Sequence, residues 1–228
     1  MIKEPFKVNA MQKVIDKCGI IIFVDKDKVP GADKAPMFTV NARESVNDLN
    51  GRISRSLNFR VKTNVATDKK SGLINFDIRS LPFVFTVLNE MQKVLDLNTD
   101  APSNVVFENK DYIFTSGEGG KRQRSEDRKV VSRLIFGRNK EGQYYISVIS
   151  PDDSRPKIPF TFQPPYGMEL YTEKGPLNPT ESSKACAYGF LNAIERLIPN
   201  LFSMGDVEGE GPTNGTEDQV WGPDNLPF

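Results

Sequence analysis

Leu57-Asn58-Phe59-Arg60-Val61-Lys62-Thr63-Asn64-Val65 sets apolar or β-branched residues at odd positions against polar ones at even positions. A period of two belongs to a strand with one face on a core and the other in water. Beyond a turn through Asp68-Lys69-Lys70-Ser71-Gly72, Ile74, Phe76 and Ile78 alternate in the same way with Asn75, Asp77 and Arg79. The two runs predict a hairpin whose polar face carries Arg60, Lys62 and Arg79. Pro82 then suits the first turn of a helix with Val84, Val87, Leu88, Met91 and Leu95 along one side. A hairpin closed by a helix argues for an α+β fold on an antiparallel sheet.

Upstream, Asn9 is placed to cap a short helix in which Met11, Val14, Ile15 and Cys18 recur at helical spacing. The apolar run Gly19–Val24 reads as a buried strand, and Asp25–Pro36 as a loop bearing Lys26, Lys28 and Lys34. Val46, Leu49 and Ile53 give residues 43–56 a helical spacing. Downstream, strands are expected at 104–108, 111–115, 130–137, 143–150 and 157–163, before a helix over about 179–198. Its start is well marked: Asn178 can cap, Pro179 suits the first helical position and Glu181 completes a capping box. Cys186, Phe190, Ala193, Ile194 and Leu197 form its apolar stripe.

Ser116-Gly117-Glu118-Gly119-Gly120-Lys121-Arg122-Gln123-Arg124 lies between two of these strands. It is not a phosphate-binding P-loop, since Arg122 follows Lys121 where a magnesium-binding hydroxyl is required. It reads as a hairpin arm whose Lys121, Arg122 and Arg124, with Arg128 and Lys129 beyond, can follow a phosphate backbone. Further cations fall near aromatics: Arg133 and Arg138 flank Phe136, Tyr144 and Tyr145 are adjacent, and Arg155 and Lys157 precede Phe160 and Phe162. Cations to replace condensed counterions and flat side chains to stack bases are what binding of unpaired strands requires.

Other chemistry is poorly provided for. The 228 residues contain no histidine, the commonest general base and zinc ligand. The two cysteines, Cys18 and Cys186, are too few and too far apart for a disulfide framework or a C-x-x-C site, and suit a reducing cytoplasm. No run approaches the ~20 apolar residues that span a bilayer, and the first residues lack a signal-peptide pattern. The expectation is a non-enzymatic protein without cofactor or metal, away from membranes, in the cytoplasm or, if viral, in the host's cytoplasm. A magnesium nuclease using Asp77, Asp111, Asp152 and Asp153 is the catalytic alternative, although Pro151-Asp152-Asp153-Ser154 has the composition of a turn.

The 30 basic and 30 acidic residues cancel only over the whole chain. Every Lys and Arg lies at or before Arg196, so residues 1–203 carry 30 basic and 24 acidic groups, net +6, while six acidic residues fall after Ser203. The segment 204–228 is rich in Gly, Pro, Asn, Asp and Glu and reads as a disordered acidic tail. Its tip has apolar bulk, with Trp221, the sole tryptophan, and then Pro223-Asp224-Asn225-Leu226-Pro227-Phe228. This ending resembles the acidic tip of bacterial and phage single-stranded DNA-binding proteins, in which an acidic run ends in an aliphatic residue, Pro and Phe. The resemblance implies that Leu226, Pro227 and Phe228 dock on partner proteins, with Asp224 as an acidic flank; Trp221, by its aromatic bulk on an acidic segment, suits a further contact with such a partner. Here a single Asp and a Leu stand where that family has a longer acidic run and Ile.

The sequence therefore divides into a core, 1–203, that binds single-stranded DNA with little sequence specificity, and a tail, 204–228, that recruits replication, recombination, repair or transcription proteins. The core resembles the antiparallel sheets of Whirly and coactivator-type single-strand binders, with an oligonucleotide-binding (OB) barrel as the alternative. The competing function is an accessory protein whose core binds protein, and the sequence leaves the oligomeric state open. Removing residues 204–228 is expected to tighten oligonucleotide binding at low salt, because competing negative charge is lost; equal or weaker affinity of the truncated chain in a titration would contradict competition by the tail.

Overall fold

The alternating stretch forms the middle of a four-stranded antiparallel sheet in the computed structural model, which describes residues 20–46, 53–68, 72–99, 101–116, 122–165 and 167–202. Its strands are β1 (Ile20–Phe23), β2 (Met37–Val46), β3 (Ile53–Lys62) and β4 (Leu73–Ile78), in spatial order β1-β2-β3-β4. In register, Phe59 faces Val40 on one side and Phe76 on the other, while Arg60 faces Thr39 and Asn75. One face therefore collects Phe38, Val40, Leu57, Phe59, Val61, Ile74, Phe76 and Ile78, all buried. The β3–β4 turn ends at Gly72, whose φ of +63° suits glycine, and a side chain there would press on the Thr63 hydroxyl.

Ser80 then leads into α1 (Leu81–Asp96), which buries Val84, Val87, Leu88, Met91, Val94 and Leu95, as the helical spacing predicts. A second sheet follows. β5 (Ser103–Asp111) is prolonged past residues 112–113 by β6 (Phe114–Ser116), which pairs with β7 (Arg122–Arg124) to form an arm. The chain returns along β8 (Lys129–Arg138), β9 (Tyr144–Ile149) and β10 (Phe160–Thr161), giving the order β10-β9-β8-β5. A small hairpin of β11 (Tyr171–Thr172) and β12 (Gly175–Pro176) precedes α2 (Pro179–Phe202). The expected capping box is formed: the Glu181 amide donates to Asn178 Oδ1 at 2.9 Å, and the Asn178 amide to Glu181 Oε2 at 3.1 Å.

β3 and β4 meet β8 and β9, α1 packs on β5 and β8, and α2 on β2, β3 and β9. The fold is α+β, with antiparallel sheets and, among the described residues, two α-helices around a shared core. Phe59, Phe38, Phe160, Phe190, Phe162 and Phe136 form a linked aromatic chain through it, with ring centroids 5.0–6.3 Å apart. Among the described residues no helix is long and apolar enough to cross a membrane.

Three local expectations are corrected. Residues 43–46 and 53–56 are strand, not helix, and Val46 and Ile53 face each other across β2 and β3. Their spacing of seven is that of two strands meeting around a turn, and Asn50-Gly51 is a hairpin-turn dipeptide. Among the described residues the run at 20–23 pairs only with β2 and is half-buried on one face, leaving Ile21 and Phe23 54% and 61% exposed on the other. The expected strand 157–163 shrinks to Phe160–Thr161, because Pro156 and Pro159 carry no amide hydrogen for a ladder. The helix expected after Asn9 lies outside the described residues, as does Cys18; Cys186 is half-buried, and burial raises its thiol pKa.

Polar contacts pin the halves together, among them a bond from Asn109 Nδ2 on β5 to the Asp77 carbonyl on β4 at 3.2 Å. Arg155, between β9 and β10, makes a two-pronged bond to Asp68, between β3 and β4: Nε to Oδ1 and Nη2 to Oδ2, both 2.9 Å, with side chains only 9% and 1% exposed. Thr63 donates to Asp68 Oδ2 at 2.8 Å, and Arg155 Nη2 also donates to the Leu73 carbonyl at 3.1 Å. Tyr188 of α2 donates its hydroxyl to Asp96 at the end of α1.

Arg155→Ala would leave the Asp68 carboxylate buried without its cation, and is expected to lower unfolding free energy by ~3–5 kcal/mol in chemical denaturation. Joint replacement with Asp68→Ala should cost less than the sum of the single changes; strict additivity would show that the pair is energetically idle. The bond to Asp96 pushes the Tyr188 phenol up to about 12. Its folded pKa thus exceeds the unfolded value near 10, so the bond's contribution is complete below about pH 10 and is lost as pH rises towards 12. Tyr188→Phe should flatten the decline of stability across that window in denaturant titrations at stepped pH.

Candidate nucleic-acid interface

The cations selected from the sequence fall into two groups, divided by tertiary environment. Arg155 is consumed by the buried pair with Asp68. Arg138 is buried as well, donating from Nε to the Gly142 carbonyl at 3.2 Å and from Nη1 to the Thr99 carbonyl. Its guanidinium lies 6.0 Å from the centroid of Tyr144, which is 3% exposed in the core. These three residues thus have internal partners, the arginines through buried hydrogen bonds and Tyr144 through the core, while Arg138 and Tyr144 also line an open hollow with Lys184. Tyr145, the next residue, points the other way and is half-buried.

The remaining groups reach the surface in three places. On the outer face of the first sheet, Arg60 donates to Asn75 Oδ1 at 2.9 Å and Lys62 is exposed. Lys62 and Lys34 border an open polar hollow of about 310 Å³, and Arg79 is exposed just past β4. Met37 stands in register with both Lys62 and Phe23, so the same face carries an exposed aromatic beside its cations. A continuous apolar run cannot say whether both faces of its strand are covered, so the sequence alone does not show Phe23 as exposed.

On the outer face of the second sheet, Arg133 bonds Glu108 at 2.9 Å, with Lys110 3.7 Å from the same carboxylate. The Arg133 guanidinium holds the Glu108 carboxyl below the usual carboxylate range. Lys157 is engaged with Asp153 at 2.6 Å on an exposed turn. Tyr145 stands opposite Gly137 and Thr161 on the outer face, where Val106 and Val131 are also exposed.

The third place is the arm. Its root is tied by Ser125, whose amide donates to the Ile113 carbonyl at 2.8 Å and whose hydroxyl accepts from the Ile113 amide at 3.0 Å. Phe114 faces Arg124, and Ser116 faces Arg122, across the pair. The Arg124 guanidinium carbon lies 3.4 Å from the centroid of the Tyr112 ring, and that of Arg128 lies 5.4 Å away. Arg124 and then Arg128 hold the Tyr112 phenol below its ordinary pKa. Phe114 is 61% exposed, and Lys129 stands at the base of the arm opposite Asp111. Tyr112 and Phe114 were not singled out in the sequence; pairing 111–115 across the glycine-rich loop would have set them beside the cations. Lys121, like the tail residues Trp221, Asp224, Leu226, Pro227 and Phe228, lies outside the described residues.

The four aspartates of the catalytic alternative have separate local partners. Asp77 accepts from Asn58 at 2.8 Å, Asp111 from the Tyr112 amide at 2.8 Å, Asp152 from Ser154, and Asp153 from Lys157. Among the described residues no three His, Cys, Asp or Glu side chains gather as a metal site. Comparison with protein families, with curated proteins and with solved structures finds no match to this chain.

Proposed function

We propose that this chain binds single-stranded DNA with little sequence preference, through its cationic arm and the outer faces of its sheets, and recruits replication, recombination or transcription proteins through its acidic C-terminal segment. The observation that carries the reading is the grouping of Phe114 and Arg124 on a two-stranded arm with Tyr112 and Arg128 at its root. Such an arm offers both requirements for holding unpaired strands, cations for phosphates and rings for bases. The net charge of +6 over residues 1–203 favours an anionic partner, and the Leu226-Pro227-Phe228 ending supports a docking role for the C-terminal segment.

A Whirly-like arrangement is favoured over an OB barrel. Each half runs through a four-stranded antiparallel sheet and then a helix, and among the described residues neither sheet closes on itself. A second reading, a core that binds protein, is favoured by the exposed Val106 and Val131 on the second sheet.

Fluorescence anisotropy of a labelled single-stranded oligonucleotide at several salt concentrations, with the duplex as control, separates the two. Single-strand preference and a steep fall of affinity with salt are expected. Arg124→Glu with Arg128→Glu should weaken binding and reduce the log–log salt slope by about 1.4, the value for two phosphate contacts on a single strand. Absence of oligonucleotide binding by the full chain and by the chain lacking 204–228 would transfer the core to the protein-binding reading.

A further inference from the structure

Resting on the single-strand reading above, we propose that Tyr112 is a base-stacking platform covered by Arg124 in the free protein, and that binding exchanges the guanidinium for a nucleobase while Arg124 moves to a phosphate. A guanidinium 3.4 Å from the ring centroid occupies the place a stacked base would take, since both are flat, delocalised groups that rest on a π-face at about that separation. The cover is displaceable: Arg124 is exposed, and among the described residues no acidic side chain pairs with it to hold it on the ring. The platform beneath it is held, because the Tyr112 amide bonds Asp111 and the neighbouring Ile113 is bonded in both directions to Ser125. Phe114, two residues further along and facing Arg124 across the strands, supplies a second exposed ring for the next base.

The exchange keeps an aromatic surface out of water until a strand arrives. It also couples stacking to charge neutralisation, because the side chain that uncovers the ring is the one that gains a phosphate. Arg128, at 5.4 Å from the same ring, is placed to take a neighbouring phosphate as the strand passes. With both guanidiniums drawn to phosphates, the Tyr112 phenol should lose the influence that holds its pKa down.

The test uses the full chain and two labelled single strands of equal length, oligo-dT and the same backbone with abasic sites, followed by anisotropy. Wild type should prefer the base-bearing strand. Tyr112→Ala should lose most of that preference, weakening oligo-dT binding by about 5- to 150-fold, with the salt slope little changed. Tyr112→Phe, which keeps the ring, should bind within about twofold of wild type. Arg124→Ala should keep the preference for bases and lose about 0.7 of the log–log salt slope. Ultraviolet difference titration of tyrosine should show one phenol whose pKa rises on adding oligo-dT and which is missing from Tyr112→Phe. Wild-type binding of oligo-dT with no loss in Tyr112→Ala, or equal binding of the abasic strand, would overturn the platform and leave the single-strand reading standing. Failure of wild type to bind either strand would overturn both.

Discussion

The chain of phenylalanine rings through the centre is the contact on which the rest of the structure depends. Phe38 lies 6.3 Å from Phe59, 5.6 Å from Phe160 and 6.1 Å from Phe190, so one residue of the first sheet meets the second sheet and α2 at once. Phe190 meets Phe162 at 5.0 Å, and Phe162 meets Phe136 at 5.8 Å, closing the chain onto β8. Tilted pairs at such separations bring the positive ring edges towards the negative faces and bury large apolar areas together. Each open sheet needs a partner for its apolar face, and each supplies that partner for the other.

A core built this way fixes which polar groups can face water. The β3–β4 and β9–β10 loops meet at the join between the sheets, and there the chain places Arg155 on Asp68 in two-pronged geometry with Thr63 and the Leu73 carbonyl filling the remaining sites. Two charges buried so deeply hold only if each satisfies the other, which ties the loops to one relative position. Arg138 plays a comparable part at the other end of the second sheet, bonding the carbonyls of Thr99 and Gly142 beneath the start of α2. Gly142 allows that close approach: at φ +78°, an added side-chain carbon would stand 2.7 Å from the Thr180 hydroxyl.

The same architecture leaves other cations outside. β5 and β8 outrun their neighbours and continue as β6 and β7, so the arm has no sheet on either side and its side chains are displayed rather than packed. Tyr112 and Arg124 meet there at the surface, whereas Arg138 is tied to two backbone carbonyls and Tyr144 is buried against the core. Two tyrosine–arginine pairs thus stand in different surroundings, one displayed and one packed.

The sequence by itself determined the elements with strong local signals. The alternation at 57–62 and 74–78, the Val84–Leu95 stripe and the Asn178–Glu181 capping box each depend on residues close in the chain and form as read, although the expected strand 57–65 stops at Lys62 and Asn64 turns to φ +52°. The asymmetry between a basic body and an acidic end is likewise a property of composition. Tertiary structure decided what depends on neighbours distant in the chain. Val46 and Ile53 could be spaced for a helix or meet across a hairpin, and only the pairing of β2 with β3 chooses. Ile21 and Phe23 are exposed because they lie on the outer face of the first sheet, in register with Thr39 and Met37 and opposite the core side. Arg155 and Arg138 match Arg124 and Arg128 in charge and in nearness to aromatics, but only packing shows which pair is enclosed, since burial is set by residues from both halves of the chain and no local window contains them.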